Sequence, residues 1–159
     1  MLVIVVWVTI GSLLRGKRRP YFQLRQRAFP YRKRVSVLGR SEAAFFMEMQ
    51  RQLPQGFYLF PKVRIIDFLD VTDGRRYSIW KRHIWAKHVD FLICDLNFNP
   101  VVAIEINGKS HLAPDRIARD RFVNNAFQAA QMRLETVEVG SSFALSAQRV
   151  AARLVSSIY

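Results

Sequence analysis

The stretch Val101–His111, "VVAIEINGKSH", decides how this chain is read. Val101 to Ile104 read as a buried strand, short, apolar and rich in β-branched residues. Glu105 then places a carboxylate at the end of that strand. Asn107, Gly108, Lys109 and His111 follow, all polar or conformationally permissive. A core strand that finishes in a charge and in metal- and phosphate-friendly side chains points to a site.

The residues just before it make a hairpin. Val89 to Cys94 read as the first strand, and Asp95 to Pro100 as the turn, where Asn97, Asn99 and Pro100 are turn residues. Asp90 starts the first strand, and Glu105 lies near the end of the second. Fifteen positions separate them, with the turn about midway. In an antiparallel pair those are the same end of the sheet. Two carboxylates held close repel and need a proton or a cation to coexist. Magnesium suits the place, being a hard ion bound by one or two carboxylates plus substrate phosphate oxygens.

Outward from the hairpin, the pattern is that of an α/β domain. "SEAAFFMEMQRQL" spaces Ala44, Phe45, Met49 and Leu53 at helical intervals, with Ser41 as the expected N-cap. "FYLFPKVRIIDFLDV" reads as one or two strands. "RRYSIWKRHIWAKH" fits a helix or an irregular loop. A helix beginning near Pro114, a short strand "RLETVEV" and an amphipathic helix presenting Phe143, Val150 and Leu154 complete the chain. Helix, strands, hairpin, helix, strand, helix describes a mixed sheet flanked by helices.

Charge is unevenly placed. Residues 1–40 carry ten Lys or Arg and no acid, out of a net charge of +13. The remainder holds fifteen basic against twelve acidic side chains. An anionic partner follows, either lipid headgroups or nucleic acid. The single cysteine, Cys94, excludes an internal disulfide framework and a zinc site of several thiolates.

Three segments are expected: 1–14, 15–40 and 41–159. Met1–Leu14 is uncharged and reads as a hydrophobic helix and membrane anchor, about 21 Å long. A buried strand and a cleaved signal peptide are the competing readings. With the anchor, positive residues from Arg15 on stay inside, so the globular part is expected in the cytoplasm, tethered to the inner membrane. The basic segment 15–40 touches anionic lipid or, through Tyr21, Phe22, Phe29 and Tyr31 among its arginines, nucleic acid.

Taken together, "SEAAFF", "HVDFLIC", "AIEINGKSH" and "RDRF" resemble the PD-(D/E)XK nuclease superfamily, in the branch of very-short-patch-repair-like endonucleases. They resemble more closely a bacterial family called domain of unknown function 2726, over roughly residues 38–140. The resemblance implies a restriction-endonuclease-like fold and magnesium-dependent phosphodiester hydrolysis, with manganese as an alternative ion. By position, Glu42 matches a first-helix carboxylate, Asp90 the central metal ligand and Glu105 the second. The Ile106 carbonyl would complete the metal's protein ligands. Asn107 stands where these proteins carry Lys or Asp, and Val89 where the name-giving Pro would be. Lys109 or His111 would assist attack or steady the developing charge. Asp120 would support the site from the next helix.

Arg119 and Arg121, together with Arg75, Arg76, Lys81 and Arg82, are candidates for phosphate contact. Because Asn107 can neither act as a base nor supply positive charge, the alternative is a nucleic-acid-binding module that keeps the fold and lacks catalysis. His83 and His88 lack zinc-like spacing. Trp80 and Trp85 read as core or rim aromatics, and Cys94 as an inert buried thiol.

Overall fold

A computed structural model describes residues 29–108 and 114–156, the side chains of 114–120 excepted. From Ser36 onward the chain forms one compact unit. Its elements are α1 (Arg40–Gln52), β1 (Phe57–Arg64), a 3-10 turn (Ile65–Asp67), α2 (Tyr77–Trp85), β2 (His88–Asp95), β3 (Pro100–Asn107), α3 (Pro114–Ala129), β4 (Arg133–Glu138) and α4 (Phe143–Val155). The four strands lie side by side in chain order. β1 with β2 and β2 with β3 are antiparallel, while β3 with β4 is parallel, so the sheet is mixed.

Burial explains the layers. Val89 to Cys94 are all buried, so β2 is covered on both faces, as a near-continuous apolar run requires. On one face Phe91, Ile93, Val102 and Ile104 pack with Phe45 and Met49 of α1 and Val150 and Leu154 of α4. On the other, Leu92, Cys94 and Ala103 pack with Ile84 of α2 and Phe127 of α3. The central hairpin turn is tied by Asp95, whose Oδ1 accepts from the backbone N–H groups of Asn97 and Asn99, each at 2.8 Å. This is the Asx chemistry the turn residues lead one to expect.

Several expectations change. Ser41 is not the N-cap of α1. Gly39 holds that position, and the side chain of Glu42 takes the Gly39 N–H at 2.8 Å. Ser41 lies inside the first turn instead. "FYLFPKVR" is a single strand, ended by the 3-10 turn. The ambiguous "YSIWKRHIW" is a helix.

The expected localisation, an inner-membrane tether through a single N-terminal anchor, is not supported. Among the described residues no helix is long and apolar enough to cross a membrane. The longest of them, α3, has 16 residues and spans about 24 Å, against a hydrocarbon core of about 30 Å. The segment 1–14 itself lies outside the described residues, as does most of 15–40.

Candidate active site

The site forms where β2 begins and β3 ends. Phe91 pairs with Ile104, and continuing that register sets Asp90 across from Glu105. Pro61 pairs with Phe91 and Val63 with Val89, so Lys62 of β1 lies across from Asp90 on the other side. Three neighbouring strands thus bring an ammonium and two carboxylates to one end of the sheet.

Lys62 has a backbone conformation that few lysines adopt, with φ +57°. Left-handed backbone at a residue with a Cβ costs roughly 1–2 kcal/mol and needs compensation from its surroundings. Its effect on the strand is visible in the packing. Phe57 and Leu59 pack with the α1/α4 side, yet Val63, which strict alternation would put beside them, packs with the α2/α3 side. Val89, its partner on β2, packs there too. Both strands exchange faces at the Lys62–Asp90 step. That exchange brings the Lys62 side chain to α1.

There the ammonium joins two acids. Lys62 Nζ is 2.7 Å from Glu42 Oε1 and 2.7 Å from Asp90 Oδ1. The remaining oxygens are also held. Asp90 Oδ2 accepts from the Ile106 backbone N–H at 2.8 Å, and Glu42 Oε2 from Gly39. Asp90 is buried, at 8% exposure, so fixed partners for both its oxygens are what burial of a carboxylate demands. Burial by itself would push the Glu42 carboxyl up. Lys62 and the Gly39 N–H outweigh that and hold it below the ordinary glutamate value. Burial would likewise lower the Lys62 ammonium, but its hydrogen bonds to Asp90 and Glu42 hold it above the ordinary lysine value. Lys62 is therefore a fixed positive charge across the physiological range.

A cleft of about 570 Å³ opens onto this group. Glu42, Lys62, Asp90, Glu105, Ile106 and Asn107 line it, as do Lys87 and His88 before β2, Asn124 of α3 and Thr136 of β4. Thr136 is the partner of Glu105 in the parallel β3–β4 pair. Of the residues singled out in the sequence, Glu42, Asp90, Glu105, Ile106 and Asn107 meet in this cleft. Lys109 and His111 lie outside the described residues. Arg119 and Asp120 fall on α3 where side chains are not described, and Arg121, further along it, is exposed. Arg75, Arg76 and Arg82 are exposed on and before α2, with Lys81 partly covered. Cys94 is buried, and burial, with Asp95 nearby, raises its thiol above the ordinary value, as an inert thiol requires.

Sequence reading missed Lys62. A lysine after proline in an aromatic strand carries no signal of a left-handed turn, which Gly or Asn would have given.

The donor set suits a hard cation. Asp90 and Glu105 line one cleft together with Ile106, and carboxylate oxygens are the donors such an ion takes. Among the described residues no three His, Cys, Asp or Glu side chains gather closely enough to hold an ion by themselves. A magnesium ion, which keeps several waters and shares substrate oxygens, needs no such cage.

An uncharacterized protein of Haemophilus influenzae is 32% identical to this chain over 101 residues, 62% of the chain and 51% of that protein. The chain thus spans about half the length of that curated relative. No solved structure matches it. Residues 34–152, which include every element from α1 to β4 and most of α4, match the protein family of unknown function DUF2726, and the chain belongs to that family.

Proposed function

We propose that the chain is a magnesium-dependent nuclease of the PD-(D/E)XK type, with a restriction-endonuclease-like fold, that hydrolyses phosphodiester bonds in DNA or RNA. The observation that carries this reading is the convergence of Glu42, Asp90 and Glu105 on one cleft, with Lys62 among them. Asp90, Glu105 and the Ile106 carbonyl would hold the ion. Magnesium bound there polarises a phosphoryl oxygen and lowers the pKa of a bound water.

The chain's own groups do the rest. The Ile106 N–H fixes the Asp90 carboxylate, so one of its oxygens keeps a constant direction. The Lys62 ammonium, hydrogen-bonded to Glu42 and Asp90, would steady negative charge developing on phosphate. It supplies the positive charge that Asn107 lacks. Glu42 holds the ammonium in place from the α1 side.

One observation favours a second reading, a nucleic-acid-binding module that does not cut. Lys62 already occupies Asp90 Oδ1 and Glu42 Oε1, so the acids have an internal counter-ion. Cleavage assays separate the two. The full chain is incubated with labelled single-stranded and duplex oligonucleotides in Mg²⁺, Mn²⁺ or EDTA, beside Asp90→Ala and Glu105→Ala. Metal-dependent cleavage lost in both variants supports the nuclease. Binding without cleavage by the wild type in either metal supports the module.

A further inference from the structure

The outer face of α2 carries a second feature that the cleft does not use. Tyr77, Lys81 and Trp85 recur every four residues, so they share one side of the helix. Tyr77 is 45% and Trp85 50% exposed. Between the two rings the Lys81 ammonium stands 5.4 Å from the Tyr77 ring centre and 5.0 Å from that of Trp85. The Arg64 guanidinium, paired with Asp67, stands 5.5 Å from the Trp85 ring centre. The stripe is therefore aromatic, cationic and aromatic in sequence, about 12 Å long at 1.5 Å per residue.

Trp80 makes a useful contrast. Its indole N–H donates to Asp73 Oδ2 at 3.2 Å, and its ring stacks on Phe122, so it has structural partners. Ile84 is buried in the core. Ile84 holds the inner face to the core, and Trp80, itself 38% exposed, sits at the rim against Phe122, which leaves Tyr77 and Trp85 on the outer side.

Charge says what covers the stripe. Between Asp73 and Asp90 the chain has five Lys or Arg and no acid. The helix ends at Trp85, and the next three residues, Ala86, Lys87 and His88, already line the cleft that holds Asp90. A polyanion lying along α2 would run directly into the carboxylates. Half-exposed rings beside phosphate-binding cations match the way single strands are held, with bases stacked on aromatic faces and the backbone in a basic track. Duplex DNA keeps its bases stacked inside and offers the rings nothing.

We infer that Tyr77, Lys81 and Trp85 form a platform for single-stranded nucleic acid that leads the strand into the Asp90 cleft. This rests on the nuclease reading for the direction of the strand, and its test is made without cleavage so that the two can fail separately. Full-length protein is titrated in EDTA against fluorescein-labelled dT20 and a 20-base-pair duplex, with anionic phospholipid vesicles as a third probe. The wild type binds dT20 more tightly than duplex. Trp85→Ala and Tyr77→Ala each weaken dT20 by about fivefold or more, the effect of losing one stacked base. Trp85→Phe, which keeps a ring, retains most of the binding. Lys81→Ala weakens both oligonucleotides and lowers the salt slope by roughly 0.7 for a single strand.

Photocrosslinking of 5-iodouracil-substituted dT20 places the adduct within residues 77–85. Unchanged dT20 binding by Trp85→Ala, equal affinity for duplex, a crosslink confined to other segments, or Trp85→Ala weakening the vesicles and not dT20 would each overturn the platform. A wild type that binds dT20 as described but cuts nothing in Mg²⁺ or Mn²⁺ sinks the nuclease alone.

Discussion

Lys62 is where the account can be tested one side chain at a time. Two of its properties oppose each other: a left-handed backbone that costs energy, and two short ion pairs that offset it. Lys62→Met should lose about 1–3 kcal/mol at pH 7, less than a fully buried pair because the side chain is about a quarter exposed. Lys62→Gly should lose about 1 kcal/mol less than Lys62→Ala, since glycine tolerates the positive φ. Urea unfolding of the three variants measures both differences.

The pH dependence follows from the signs of the shifts. Glu42 is held below its ordinary value, so its pairing stabilises the fold above about pH 4.3 and is lost as pH falls through the lowered value. Lys62 is held above its ordinary value, so its contribution is full below about pH 10.4 and is lost as pH rises through the raised value. The gap in stability between wild type and Lys62→Met should be flat from roughly pH 5 to pH 10 and narrow below roughly pH 4. A gap that widens on acidification would mean the ammonium is not the partner of these acids.

At the level of elements, α3 forms one wall of the cleft, where Val123 and Asn124 line it. It is fastened by Phe127, which is 2% exposed and packs against Phe68 with ring centres 5.8 Å apart. Phe127→Ala should cost about 3–5 kcal/mol in thermal or urea unfolding, the usual result of emptying a buried aromatic site. The hairpin that carries Asp90 and Glu105 was legible from the sequence, because its turn residues and flanking apolar runs agree. α2 was not. Ile84 is buried while Tyr77, Ile79, Trp80 and Trp85 are exposed, so apolar residues lie on more than one face and blur the helical period. The cap of α1 was misplaced for a similar local reason. The Glu42 side chain, and not a Ser41 hydroxyl, takes up the free N–H.

Across the whole molecule, the order of the elements other than α2, and the shared end of the two carboxylate-bearing strands, could be read from patterning alone. The face exchange at Lys62 and Asp90 could not, because it depends on one backbone angle. Charge is the other property of the whole chain. Residues 1–35 contain nine of the 25 basic side chains. A chain beginning at Ser36 should bind oligonucleotides less tightly, with a shallower dependence of log affinity on log salt. An unchanged slope would assign all phosphate contacts to the compact unit.

The most direct test of the central claim keeps the shape of the site and removes one charge. Cleavage of a labelled oligonucleotide in saturating Mg²⁺ is measured for wild type and Asp90→Asn side by side, with folding checked by thermal melting. Metal-dependent cleavage by the wild type, reduced a hundredfold or more in a folded Asp90→Asn, is the predicted result, on the order of the loss from deleting one transition-state contact. Equal rates in the two proteins would contradict it.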